Sequence, residues 1–226
     1  MISTGNIKSF IYDSLLGKNN PNSPYYAYYQ VLNQIPEEST ILDIGCGTGI
    51  YFDNQDVVNC IINKNLKIHC VDIDEYAISI CKGRVKNNGI HSNVTCDTKN
   101  FLDIHNPYDY ILFIESFPVI DLDLFNKMLN HTKKLTPNVI LFHNLVHEKN
   151  ALINYIKPKI KYVTSIDMGR LTSLDDMISY LDEQLCPNYS IIKSNQCQYK
   201  DLHPILNMPF IYNKLSTQYT INITYT

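Results

Sequence analysis

Residues 41–49 read Ile41-Leu42-Asp43-Ile44-Gly45-Cys46-Gly47-Thr48-Gly49. An apolar run ends in an acid, and three glycines then alternate with other residues before a helix-like segment begins. Glycine is needed where a β-carbon would block positive φ values or fill the space of a ligand. These nine residues therefore predict a buried strand and a tight turn whose backbone a ligand approaches closely.

Strand-like and helix-like segments alternate on both sides of this turn, which favours a parallel sheet with helices on both faces. The predicted strands are Thr40–Ile44, Lys67–Val71, Asn93–Cys96, Tyr108–Ile114 and Asn138–His143. The predicted helices are Ile50–Asn63, Glu75–Asn87 and Leu122–Leu135, with a weak turn at Lys99–Ile104.

The two flanks extend this pattern. The N-terminal arm predicts helices at Ile7–Leu16 and from Tyr25 to about Gln34. Towards the other end, Glu148–Lys157 and Ser173–Leu185 look helical. Tyr189–Gln198 and Gln218–Tyr225 alternate as strands and could pair antiparallel at a sheet edge. No repeat or long linker divides the chain, so a single domain is expected.

Composition indicates a globular protein of the cytoplasm. Apolar residues make up 45% of the 226 residues and charged residues 18%, proportions typical of folded domains. The net charge of −3 gives no bulk attraction to nucleic acid. No signal peptide or membrane span is recognisable. The seven cysteines show no CxxC spacing, so free thiols are expected and neither disulfides nor a metal site.

Acidic residues follow successive predicted strands. Asp43 ends the first, Asp72 and Asp74 follow the second, Asp97 follows the third and Glu115 follows the fourth. In an open α/β sheet, ligands bind at the carboxyl ends of the strands, near the point where strand order reverses. Glycines and acids in this order predict one binding site at that edge.

On these residues the chain resembles the class I S-adenosylmethionine-dependent methyltransferases, over roughly residues 39–145. The resemblance implies a doubly wound, mostly parallel seven-stranded sheet with the last strand antiparallel and helices on both faces. Residues 1–38 would form a helical arm or lid, residues 39–145 the cofactor-binding core, and residues 146–226 the substrate side. Position 50 is Ile, which disfavours the GxGxxG loop of dinucleotide-binding enzymes.

The resemblance also implies a set of cofactor-binding residues. The loop would wrap the methionine half of the cofactor, Asp72 would accept hydrogen bonds from the ribose hydroxyls, and Asp97 would receive the adenine amine. The cluster Tyr25-Tyr26-Ala27-Tyr28-Tyr29 is open to two interpretations, helix packing or an N-terminal lid over the cofactor, and Tyr28 is the candidate contact of such a lid. The full set is Asp43, Gly45, Cys46, Gly47, Gly49, Asp72, Ile73, Asp97, Thr98, Glu115 and Tyr28.

Methyl transfer is an in-line displacement, so a base is needed only if the acceptor must lose a proton. Glu115 and His143 are the catalytic candidates. Glu115-Ser116-Phe117-Pro118 departs from the Asn/Asp-Pro-Pro-Tyr pattern of amino-group methyltransferases that act on nucleic acids. The predicted acceptor is therefore a small molecule or sugar, with no membrane partner and with a homodimer as a possible assembly. The alternatives are an RNA or protein methyltransferase, or a catalytically silent cofactor-binding scaffold.

Overall fold

The computed structural model describes residues 26–114, 116, 122–146, 174–185, 188–193 and 216–225. The strands are β1 (Thr40–Ile44), β2 (Lys67–Asp72), β3 (Val94–Thr98), β4 (Tyr110–Ile114), β5 (Asn138–Val146), β6 (Tyr189–Lys193) and β7 (Ser216–Thr224). The helices are α1 (Tyr26–Gln34), α2 (Gln55–Asn63), α3 (Glu75–Asn87), α4 (Leu122–Thr132) and α5 (Leu174–Leu185). Short 3₁₀ turns occupy Ile50–Asp53 and Phe101–Asp103.

The strands form one seven-stranded sheet in the order β3-β2-β1-β4-β5-β7-β6. β1 pairs in parallel with both β2 and β4, so the strand order reverses beside β1. β7 is antiparallel to β5 and to β6. This topology confirms the predicted doubly wound, mostly parallel sheet with an antiparallel last strand, and it places the expected ligand edge at the carboxyl end of β1.

Alternation along the central strands builds a core on each face of the sheet. In β1, Ile41 packs with residues of α1, α2 and α3, whereas Leu42 packs with residues of α4 and α5. β4 repeats the pattern, because Leu112 joins the first group and Phe113 the second. Successive side chains of a strand point to opposite faces, and this double burial explains why the strands read as continuous apolar runs.

The prediction of one helix over Ile50–Asn63 is wrong. Asn54 divides it, because its backbone is extended (φ −89°, ψ 121°) and its side chain accepts the N–H of Asp56 as the cap of α2. Asn is among the preferred N-cap residues, since its oxygen satisfies an N–H that the helix leaves unpaired. The last predicted helix of the core also ends early, at Thr132.

Two strands run further than predicted. β3 continues to Thr98 because Asp97 and Thr98 pair with Val71 and Asp72 of β2. β5 continues to Val146 because β7 pairs with it along its whole length. As a consequence, Asp97 and His143 lie within strands and do not follow them. A third strand is shorter than predicted, because β4 begins at Tyr110 and not at Tyr108. The backbone N–H of Tyr108 donates instead to the carbonyl of Leu135, at 2.8 Å.

Other predicted elements divide into those confirmed and those outside the described residues. The bounds of β1 and α3 agree with prediction, and the predicted antiparallel pair at the sheet edge is present as β6 and β7. The helices predicted at Ile7–Leu16 and Glu148–Lys157 lie outside the described residues. No helix within the described ranges has the length and apolar character needed to cross a bilayer.

Candidate functional site

The glycine loop follows β1 and is fastened to the neighbouring strand. The N–H groups of Gly45 and Cys46 both bond to the carbonyl of Val71, at 2.9 and 3.3 Å. Gly45, Gly47 and Gly49 have φ angles of 70°, 54° and 60°. The turn therefore sits at the carboxyl edge of the sheet, where β1 meets β2.

The glycines of this loop face different surroundings. A β-carbon at Gly49 would lie 2.5 Å from the Sγ atom of Cys81, and one at Gly45 would lie 2.8 Å from the Cβ atom of Ser116. Both distances are shorter than real contacts allow. A β-carbon at Gly47 would meet no atom within 4 Å. Gly49 is thus needed for packing against Cys81 and Gly45 for its close approach to Ser116, while Gly47 borders open space.

Asp72, at the end of β2, connects this loop to α3. Its Oδ2 atom accepts the N–H of Gly47 and its Oδ1 atom accepts the N–H of Asp74, both at 2.9 Å. Asp74 in turn caps α3 by accepting the N–H groups of Tyr76 and Ala77. The Asp72 carboxylate is half-buried beside the open space at Gly47. Each of its oxygens retains a second lone pair that a ligand hydroxyl could use.

Asp43 is buried beneath the loop, in contact with two tyrosines. Its Oδ2 atom accepts hydrogen bonds from the hydroxyls of Tyr28, at 3.0 Å, and Tyr51. The two rings stack with centroids 3.7 Å apart. Tyr28 is fully buried, so the structure corrects its interpretation as a lid: it packs in the core and reaches the site through Asp43.

Burial raises the pKa of Asp43 from 3.8 to about 6, although the hydrogen bonds from Tyr51 and Tyr28 favour the charged form and oppose that rise. Removing a carboxylate from water penalises its charged form. Between about pH 4 and about pH 6, the native state therefore binds more protons at this residue than the unfolded chain does. The contribution of Asp43 to stability falls as pH rises through that window.

We expect Asp43→Asn to remove this pH dependence. The free energy of unfolding of the wild-type protein, relative to that of the variant, should fall by roughly 2 kcal/mol from pH 4 to pH 6 and level off above about pH 7. Urea unfolding at several pH values measures the difference. Tyr51→Phe is the companion variant, because losing this donor should extend the window to higher pH. Parallel curves for wild type and Asp43→Asn would contradict the assignment.

Asp97 is paired with a histidine that the sequence did not single out. The Nε2 atom of His69 lies 2.9 Å from the Oδ2 atom of Asp97, and its Nδ1 atom lies 2.6 Å from the hydroxyl of Tyr108. The Asp97 side chain remains half exposed. His69 was missed because its place inside an apolar strand suggests a core residue; its position two residues before the register partner of Asp97 is the signal that could have found it.

The adenine side of the predicted site is open to solvent. Ile73 is 78% exposed, an unusual fraction for a large apolar side chain next to two acids. Thr98, at the end of β3, is also exposed. An exposed apolar surface bordered by polar groups is typical of a contact with a ligand.

Arg84 fastens the inner side of the loop, and sequence reasoning missed it too. Its Nε atom donates to the Oδ2 atom of Asp53 at 3.0 Å, and its Nη1 atom donates to the carbonyl of Thr48 at 2.8 Å. The side chain is buried on the face of α3 that packs against the sheet. A buried arginine needs such partners, because an unpaired charge in the interior is costly. Arg84 therefore holds Thr48 and Gly49 against α3.

The catalytic candidates are less defined. Glu115 lies outside the described residues. The backbone of His143 lies in β5, opposite Tyr219 of β7, and its side chain is outside the description. Ser116 is described, and its Oγ atom is the one buried side-chain nitrogen or oxygen in the described ranges without a hydrogen-bond partner. Ser116 lies against Gly45, so a hydroxyl group that can still donate and accept a hydrogen bond borders the glycine loop.

Cysteines converge behind the loop. The five described cysteines are free thiols, as predicted. The Sγ atoms of Cys46, Cys70 and Cys81 nevertheless lie within 4.8 Å of one another, and the Sγ atom of Cys96 lies 3.4 Å from that of Cys81. Cysteines that are far apart in the sequence thus meet in space, because the register of β2 and β3 pairs Cys70 with Cys96.

Comparison with known proteins gives one family match. A family model described as a methyltransferase domain matches residues 35–207. The match includes the glycine loop and every described acid discussed above. No curated protein matches the chain by sequence.

Solved structures share the fold at low sequence identity. The geranyl diphosphate C-methyltransferase of Streptomyces coelicolor, in complex with Mg²⁺, geranyl diphosphate and S-adenosyl-L-homocysteine, is 12% identical; the alignment covers 89% of this chain and 78% of that one, with a TM-score of 0.65. The magnesium protoporphyrin IX methyltransferase of Synechocystis, with bound SAH, is also 12% identical, with coverages of 98% and 95% and a TM-score of 0.61. The MccD protein is 13% identical, with coverages of 92% and 100% and a TM-score of 0.62.

Proposed function

The chain belongs to the methyltransferase-domain family, whose model matches residues 35–207, and from that membership we propose that it methylates a small molecule or sugar at oxygen or nitrogen. It is a methyltransferase, and its methyl donor is S-adenosylmethionine. The observation that carries the site is the open space at Gly47, bordered by the Asp72 carboxylate. An unpartnered hydroxyl at Ser116 and the exposed Ile73 border the same loop and strand end.

The charge of this edge suits a cationic cofactor. Asp72 is the last residue of β2, and Asp43 and Asp97 are the next-to-last residues of the neighbouring strands β1 and β3. Bound at this edge, the sulfonium of the cofactor would supply an electrophilic methyl group. The protein's own contribution is to orient the cofactor: Gly47 leaves room, Asp72 offers oxygens to hydroxyl donors, and the Tyr28–Tyr51 pair fixes Asp43. Charge-assisted hydrogen bonds of this kind are roughly twice as strong as neutral ones.

We expect Asp72→Ala to weaken binding of S-adenosylhomocysteine by at least about 1.5 kcal/mol, roughly tenfold, because a bond to a charged group is lost. Calorimetric titration of the folded variant measures it. Asp74→Ala is the matched control: it removes the cap of the same helix, at about 1 kcal/mol of stability, without removing a proposed ligand contact. Equal affinities for wild type and Asp72→Ala would overturn the ribose assignment.

The acceptor class is a separate proposal. The net charge of −3 supports a small molecule over RNA, and the similar structures include enzymes for geranyl diphosphate and a magnesium porphyrin. A screen of acceptor classes with labelled cofactor tests it. Transfer to RNA or protein alone would favour the first alternative, and cofactor binding without transfer to any class would favour a silent scaffold. Glu115 and His143 remain our candidates for a general base. If one of them has that role, its replacement by alanine should abolish turnover and leave the affinity for the cofactor unchanged.

We further propose a cytoplasmic location and a homodimeric assembly. The free thiols at the described cysteines suit a reducing compartment such as the cytoplasm. The mass of the protein in solution, measured by light scattering, distinguishes a homodimer from a monomer.

A further inference from the structure

The cysteine cluster behind the glycine loop combines four separate segments of the chain. Cys46 belongs to the loop, Cys70 to β2, Cys81 to α3 and Cys96 to β3. All four are buried on the same face of the sheet, in the core that includes α2 and α3. Their separations along the sequence, 24, 11 and 15 residues, resemble no familiar metal-binding motif. The fold alone brings them together.

The sulfur atoms of Cys46, Cys70 and Cys81 lie close enough to share one ion, and Cys96 adjoins this group through Cys81. Three Sγ atoms lie within 4.8 Å of one another, and the fourth is 3.4 Å from that of Cys81. A tetrahedral ion with metal–sulfur bonds of about 2.3 Å holds its sulfurs about 3.8 Å apart. Small adjustments of the side chains would therefore bring four sulfurs to equal distances around one centre.

The electrostatic surroundings also favour a cation. The carboxylates of Asp43 and Asp72 lie near the Cys46 thiol. These two carboxylates add negative charge near the thiols. Soft thiolate ligands select zinc or monovalent copper over hard cations.

We propose that Cys46, Cys70, Cys81 and Cys96 form a buried binding site for a thiophilic d¹⁰ cation such as Zn²⁺. Binding forms metal–sulfur bonds and releases the thiol protons to solvent, with no change of oxidation state. Because Cys46 lies in the loop and Cys81 would touch a β-carbon at Gly49, the bound ion ties the loop to α3, β2 and β3. Its role is structural, and all four ligand positions are filled by protein.

The test is a titration of the reduced full-length protein with Zn²⁺ and, as a spectroscopic probe, Co²⁺. Cys186 and Cys197 lie outside the described residues, so both are replaced by alanine in the background protein. We expect one equivalent of metal per chain, thiolate-to-cobalt charge-transfer absorption, displacement of cobalt by zinc, and a higher melting temperature with metal. A reduced protein that shows no thiolate-to-cobalt band and binds no equivalent of zinc would overturn the proposal.

Variants locate the site. Cys81→Ala should weaken metal affinity by at least about tenfold, since even removal of partners outside the coordination shell has effects of that order. Cys60→Ala is the matched control, because Cys60 is also buried but lies on α2 and outside the cluster. Equal losses in the two variants would contradict the assignment. If Cys81→Ala does not fold, the cobalt spectrum of the background protein still shows whether its thiolates bind a metal ion.

Discussion

Gly49→Ala should destabilise the protein by roughly 3 kcal/mol, the largest effect that we expect from a single methyl group in this chain. The new β-carbon would lie 2.5 Å from the Sγ atom of Cys81 and 2.9 Å from the ring of Phe52. The alanine would also have to adopt the φ of 60° that Gly49 has. Left-handed backbone costs an alanine about 1–2 kcal/mol, and overpacking of a core about 1–3 kcal/mol. Urea unfolding measures the sum.

Two other glycines separate these causes. Gly89→Ala has a similar φ and no atom near its β-carbon, so it should show the conformational cost alone, about 1 kcal/mol. Gly47→Ala should have the same small effect on stability but weaken S-adenosylhomocysteine binding by at least about tenfold, because its methyl group would enter the open space. If Gly47→Ala and Gly89→Ala bind the ligand equally well, the cofactor does not pass over Gly47.

Arg84→Met should destabilise the protein by about 3 kcal/mol and weaken S-adenosylhomocysteine binding as well. The substitution leaves Asp53 without its ion pair and the Thr48 carbonyl without the guanidinium. The guanidinium is buried and the Asp53 side chain is 27% exposed, so loss of the ion pair leaves a partly buried charge uncompensated. Release of Thr48 should then loosen the loop at Gly49. Urea unfolding measures the loss of stability, and calorimetric titration measures the loss of affinity for S-adenosylhomocysteine.

Asp53→Asn is the matched variant, because it removes the ion pair but keeps Arg84 on Thr48. It should lose less stability than Arg84→Met and retain ligand affinity. Arg84→Lys should resemble Arg84→Met in affinity, since a single ammonium on a flexible stem does not reproduce the two-armed contact of a guanidinium. A loss below about 1 kcal/mol in Arg84→Met would show that the loop is held by other contacts.

The sequence predicted those parts of the fold that local rules determine. The run before Gly45 is buried on both faces and reads as a strand, and Asp74 marks the start of α3 by capping it. The prediction of one helix over Ile50–Asn63 joined two elements across the polar residues Asp53–Asp56, where the side chain of Asn54 caps a new helix. Strand β5 was predicted too short because its length depends on β7, far along the chain.

The candidate site was predictable in its acids but not in the groups that support them. Asp43 stands out by its place just before the glycines, and Asp72 by its place directly after a predicted strand. The partners Tyr51, His69 and Arg84 do not, because each occupies an ordinary position of a helix or strand until tertiary packing assigns its contact. The cysteine cluster depends on parallel register, which no single segment specifies.

The position of β7 in the sheet also determines the order in which the strands can assemble during synthesis. Among the described strands, β6 pairs with β7 alone, and β7 is the strand that joins it to β5. As the chain leaves the ribosome, β1 to β5 can assemble with their helices while β6 must wait for a strand made later. Until then the edge of β5 presents unpaired backbone groups to other chains. A nascent chain stalled between β6 and β7 would carry a complete glycine loop and an unfinished sheet, and would be the form most in need of a chaperone.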